Sequence, residues 1–235
     1  MLHRLLPLLA CMLAAAGCAS EPNMVPAPGA NLAPGLERGA VARENGVRLQ
    51  AQADVWPGRA PITREVTPVR VSITNGSDVP IRVRYEDFAL ETAQRGYSAL
   101  PPLRLTGSVG ETVLRSPYGP VTDPVFSAVG FDLAPAYASV YPGYPLAVAD
   151  PFPYEPLWTE DRYRRTRDYE LPTKAMVDLA IPEGVLRSGG RMTGFLYFEN
   201  IPAGVGRTVF RMDLVNARTG EQIDTIQIPF RTAGA

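Results

Sequence analysis

The chain has 235 residues, 23 basic and 24 acidic side chains, a formal net charge of −1 and 46% hydrophobic residues. This near-neutral balance gives no strong field for recruiting nucleic acid, and the length suits one main domain. The one histidine, His3, and the two cysteines, Cys11 and Cys18, lie near the N-terminus. Were that segment removed, no Ser-His-Asp or Cys-His catalytic set and no histidine zinc site could be assembled from the rest.

Residues 1–17 carry that segment. His3 and Arg4 begin it, a mostly apolar run from Leu5 to Ala16 follows, and Ala14, Ala15, Ala16 and Gly17 close it. The order of charge, apolar run and small residues is that of an export signal. The run is also too short to span a bilayer, which takes about 20 residues. The "AAGC" that follows, Ala15 to Cys18, resembles the bacterial lipobox, with Ala15 where that family usually has Leu. The resemblance implies cleavage before Cys18 and lipid attachment at Cys18. With Ala19 rather than Asp next, it also implies the outer membrane, with the protein facing the periplasm. Ordinary secretory cleavage after Ala16 or Ala19 is the alternative.

Residues 18–44 are expected to be the lipidated N-terminus and a Pro/Gly-rich tether, because Pro22, Pro26, Pro28 and Pro34 alternate with Gly29, Gly35 and Gly39 among few large apolar groups. The main domain is expected over 45–235. Val47, Leu49, Ala51, Ala53 and Val55 alternate with polar residues, which is the period of a half-buried strand. Val69, Val71 and Ile73 form a second such face, followed by "NGSD", Asn75–Asp78, and a third run of Ile81, Val83 and Tyr85. The Asn-Gly predicts a hairpin there. The apolar phase slips at Glu86-Asp87, which predicts a bulge or a strand that changes sheets. "YSALPPLRLTG" reads as an edge strand broken by Pro101-Pro102.

Residues 116–170 form an insertion dense in aromatics and prolines. Pro removes ladder donors, so no long central strand or helix is expected before about residue 156. Three readings stand open: a fold-back that caps the domain with a second small core, an exposed binding surface, or a mobile arm. On the second, Tyr137, Tyr141, Tyr144, Phe152, Tyr154 and Trp158 are the candidate binding residues, since Tyr and Trp offer large rigid contact area. The run "TEDRYRRTRDYE" mixes charges of both signs and reads as a solvated face.

Thr173 and Pro182 bracket a short helix. Strands follow from Gly189-Gly190 through "RMTGFLYFEN", then "RTVFRMDLVNA", the turn "RTGE" and "QIDTIQIPF". Short strands with Gly and Pro turns predict an all-β antiparallel sandwich. The runs "PVRVSITNGSDVPIRVRY" and "LRSGGRMTGFLYFE" resemble exported bacterial domains with an immunoglobulin-like sandwich, many of which have no assigned activity.

The functional expectation is a non-enzymatic, lipid-anchored envelope protein that scaffolds or binds a protein partner, with no cofactor and no metal. A carbohydrate-, peptidoglycan- or small-ligand-binding module is the alternative. A carboxylate-dependent glycan hydrolase is the third reading. It would need facing acids, and the adjacent pairs Glu86-Asp87 and Glu160-Asp161 do not supply them, because neighbours on a strand point to opposite faces.

Overall fold

The computed structural model describes residues 23–36, 38–53, 55–58, 62–108, 126–148, 154, 170–202 and 204–233. The export segment and Cys18 lie outside them. Thirteen strands are found among the described residues: β1 (Asn23–Pro26), β2 (Gly39–Glu44), β3 (Val47–Ala53), β4 (Val66–Asn75), β5 (Ile81–Val83), β6 (Phe88–Thr92), β7 (Gly96–Ser98), β8 (Gly107–Ser108), β9 (Ser127–Leu133), β10 (Glu170–Leu171), β11 (Gly184–Glu199), β12 (Arg207–Asn216) and β13 (Gln222–Ala233). The described residues also hold one short α-helix, α1 (Lys174–Leu179), and four 3₁₀ turns. The fold is all-β and its ladders are antiparallel.

Pairing divides the strands into two layers. In the first, β2 pairs with β3, β3 with β4 and β4 with β11, and β9 takes the other edge of β11. In the second, β1 pairs with β13, β13 with β12, β12 with β6 and β6 with β7. The short β5 joins them, bonded to β11 through Gly184–Leu186 and to β12 through Val215–Asn216. The chain from Val66 to Thr92 thus runs first along β11 and then along β12. The switch falls where the apolar phase slips: Tyr85–Asp87 is a 3₁₀ turn between β5 and β6.

The inner faces follow the alternation in the sequence. Leu49, Val69, Val71, Ile73 and Leu196 of one layer, and Phe88, Leu90, Phe210, Met212, Ile226, Ile228 and Phe230 of the other, are buried. Phe198 meets Phe210 edge-on across the layers, with ring centroids 6.1 Å apart. β11 is buried on both faces along "GFLYF", and its unbroken apolar run reports this. Leu196 and Phe198 enter the main core. Phe195 and Tyr197 point outward, against Trp56 at 5.3 and 5.9 Å.

Four expectations are corrected. The tether ends early: from Asn23 the chain is already a strand, Met24 is fully buried, and β2 starts at Gly39, so the domain includes residues 23–44. The Asn-Gly at Asn75-Gly76 makes no hairpin. β4 and β5 run in the same direction along one edge of β11, and the loop between them is held by the buried Asn75. Its Nδ2 donates to Val79 O and Leu186 O, and its Oδ1 accepts from Ser77 N and Ser77 Oγ. The hairpin turn is the other Asn-Gly, Asn45-Gly46, whose φ values of 44° and 78° suit a type I′ link between β2 and β3. β11 begins at Gly184 rather than at Gly189, and its register against β9 shifts between Leu186 and Arg191. The insertion supplies β9 as a sheet strand despite its prolines, because Pro124 and Pro135 stand outside its seven residues. Thr173 caps α1 as expected, its hydroxyl accepting from Met176 N at 3.2 Å. Among the described residues β7 pairs with β6 alone, the edge position the prolines implied.

Candidate functional site

The insertion's described aromatics gather on the outer face of β11. Phe126 stacks edge-on against Phe131 at 5.8 Å and Tyr141 at 5.7 Å, and Tyr144 leans on both phenylalanines. Beneath them, four tyrosine hydroxyls converge on α1 and the segment that joins it to β11. Tyr197 Oη donates to Met176 O, Tyr141 Oη to Val177 O, Tyr85 Oη to Ile181 O and Tyr137 Oη to Glu183 Oε2. Glu183 Oε1 accepts from the Tyr85 backbone N–H at 3.0 Å. Three of these hydroxyls reach main-chain carbonyls in the last turn of the helix and just beyond it, where Met176 O and Val177 O also accept from the Ala180 backbone N–H, and the fourth reaches a carboxylate. Burial raises the pKa of Tyr85, Tyr137 and Tyr197 well above the ordinary phenol value, with neighbouring acids and phenols adding to the shift, so all three stay protonated.

This arrangement decides the place of the candidate binding residues. Tyr137 and Tyr141 are buried and continuous with the hydrophobic core of the domain, so they offer no contact surface. Tyr144 and Tyr154 are half-buried at the edge of this core, Tyr144 against Phe126 and Phe131. Phe152, Trp158, Glu160, Asp161 and the charged run up to Tyr169 lie outside the described residues. Periodicity could not reveal the cluster, because its members come from five separate stretches of chain.

Glu86 and Asp87 diverge, though in the 3₁₀ turn Tyr85–Asp87 rather than on the strand the sequence suggested. Glu86 is exposed and pairs with Arg84 at 2.6 Å. Asp87 is buried, accepting from Arg82 Nη2 at 2.9 Å and from the Arg84 backbone N–H at 3.0 Å. Burial pushes the Asp87 carboxyl up to about 6, and the Arg82 contact partly offsets that rise. Among the described residues, no group of three or more His, Cys, Asp or Glu side chains could hold a metal ion.

The exposed feature the sequence did not mark is a groove of about 300 Å³ lined by Pro80, Asp132, Leu146, Val148, Val185, Arg187, Ala217 and Arg218. Leu133 bridges to Leu146 in parallel, which fixes the Leu146–Val148 wall beside β9. Val148 is 85% exposed and Leu146 42%. Arg187 pairs with Asp132 at 3.4 Å, and Arg218 stands exposed on the opposite rim. Register places this groove at one end of the domain. Ala217 and Arg218 follow Asn216, which pairs with Ile81, whereas Asn23 pairs with Ala233 at the other end of β13.

No protein-family model matches the chain, and no curated protein matches it in sequence. Among solved structures it is similar to YcdA of Bacillus subtilis subsp. subtilis str. 168, described as a candidate lipoprotein, with 8% identity and a TM-score of 0.38. The match covers 80% of this chain and 37% of the other, so the chain spans little more than a third of that protein's length.

Proposed function

We propose that this chain is a lipid-anchored protein of the bacterial envelope, fixed at Cys18 to the outer membrane on its periplasmic side. It acts without catalysis and presents the sandwich to a protein partner. The groove edged by Leu146 and Val148 carries the reading. Val148 is a large apolar side chain left almost wholly in water, at the end of the domain remote from the anchored strand. Apolar groups clustered beside two arginines suit a partner segment that combines apolar and acidic residues. The anchor rests on the "AAGC" run after a short apolar segment, because several acyl chains attach durably where one binds only marginally. The burial of Tyr137 and Tyr141 weighs against the glycan-binding alternative.

Crosslinking in intact envelopes tests the proposal. One protein species should be retained by the native chain and lost from a Leu146→Asp, Val148→Asp variant with an unchanged unfolding midpoint. Equal capture by both chains would overturn the assignment of the groove. In parallel, Cys18→Ala should move the protein to the soluble periplasmic fraction, and its persistence in membranes would overturn the anchor.

A further inference from the structure

β1 changes what the anchor can do. Only residues 19–22 separate Cys18 from Asn23, the first residue of the sheet. Five Cα steps reach at most about 18 Å even when fully extended. β12, from Arg207 to Asn216, is about 30 Å long. The leash is therefore shorter than the domain. An acylated Cys18 would keep the Asn23 end at the bilayer and the groove end away from it.

That end carries an unusual pair. Arg231 lies opposite Val25 on one side and opposite Arg207 on the other, and both arginines are exposed. Two like charges directly across a ladder, with Cβ atoms about 5 Å apart, disfavour the sheet unless an anion lies over them. Among the described residues neither arginine forms an ion pair. Glu91, on the neighbouring strand, is taken by Arg211 at 2.8 Å, and Glu199 by Arg95 at 2.9 Å. Arg231 is two rungs from Asn23, so its Cα stays within about 25 Å of Cys18 in any pose.

We propose that Arg207 and Arg231 form a membrane-facing surface that engages the phosphates of anionic phospholipid headgroups and, with the short leash, holds the domain upright with its groove turned from the bilayer. This rests on the lipid anchor proposed above. The full chain's net charge of −1 gives it no overall attraction to such a surface, so the contact depends on being tethered. Each basic group near an anionic surface strengthens binding about fivefold. Two of them count only because the leash keeps their effective concentration in the millimolar range.

Energy transfer on the lipidated full-length protein in vesicles tests it. One dye is placed by Gln94→Cys, near the Arg207 end, and another by Thr219→Cys, near the groove, with acceptors on lipid headgroups. Transfer should be stronger from position 94 than from 219. The difference should grow when phosphatidylglycerol is added to phosphatidylcholine and shrink with salt. An Arg207→Gln, Arg231→Gln variant, with folding checked by circular dichroism, should lose about fivefold per arginine in the ratio of docked to undocked protein. The non-acylated Cys18→Ala protein should not bind the same vesicles. Equal transfer from both positions, or no response to anionic lipid or to the arginine variant, would overturn the inference. Mass spectrometry of the same sample separates the two levels. An acylated Cys18 with equal transfer sinks this inference alone, whereas an unmodified Cys18 sinks the anchor itself.

Discussion

The Tyr137 hydroxyl donates a 2.9 Å hydrogen bond to Glu183 Oε2 in a site where the two residues are 0% and 4% exposed. A buried carboxylate is costly unless its oxygens are satisfied, and here Tyr137 serves one oxygen and the Tyr85 backbone the other. Tyr137→Phe keeps the ring packing and removes one donor, so it should cost about 1–3 kcal/mol in a urea titration. A double-mutant cycle with Glu183→Gln should show coupling, because the variants act on one bond. Additive effects would mean that the hydroxyl and the carboxylate do not support each other.

Asn75 does locally what a ladder would do. Its side chain joins Val79 O, Leu186 O and Ser77 across the gap between β4 and β5, with no exposed surface. Asn75→Ala should cost about 1–3 kcal/mol, since it leaves the buried Leu186 carbonyl short of a donor, whereas Val79 O keeps the Ser77 hydroxyl. Were Asn75 a turn residue of an ordinary hairpin, alanine there would cost much less. Thermal unfolding of the variant against Ser77→Ala, which loses only the outer part of the network, checks the difference.

These two residues also mark how far the sequence could be read. Strands came through wherever one face is dry: β3, β4, β12 and β13 show their buried sets as a period of two. The phase slip at Glu86-Asp87 gave the layer switch, and Thr173 gave the helix. Local rules failed where a distant partner decides the outcome. Asn45-Gly46 and Asn75-Gly76 look alike as dipeptides, yet only the first has positive φ. The second packs against the first: Gly76 N–H donates to Gly46 O, and a Cβ on Gly76 would sit 2.9 Å from that oxygen. The tyrosine cluster, the groove and the pairing of β1 are likewise products of chain segments far apart in sequence.

Asp87 sets a pH dependence with a definite sign. Its carboxyl is raised from 3.8 to about 6, chiefly by burial. Between about pH 4 and 6 the folded protein binds more protons at this site than the unfolded chain does. The site's contribution is therefore full below about pH 4 and is lost as pH rises through about 6, by up to about 3 kcal/mol. Asp87→Asn should flatten that part of the stability profile, while lowering stability overall because the buried Arg82 loses its closer ionic partner and keeps Glu86 at 3.6 Å. Urea midpoints of the two proteins, compared from about pH 4 to about pH 7, give the difference. An identical slope in both would place the titration elsewhere.

Met24 tests where the domain begins. Its side chain is fully buried, and β1 covers the edge of β13 over the four rungs from Asn23↔Ala233 to Pro26↔Phe230. A tether residue could be replaced without cost. A core residue of this size cannot, and Met24→Ala should lose about 2–5 kcal/mol, the range for truncating a buried methionine. Pro28→Ala, just past the strand and exposed, should stay within about 0.5 kcal/mol and serves as the control. The comparison also bears on the leash. If Met24→Ala were neutral, β1 would not hold the sheet, the free chain after Cys18 would lengthen toward Gly39, and nothing would keep one end of the domain near the membrane.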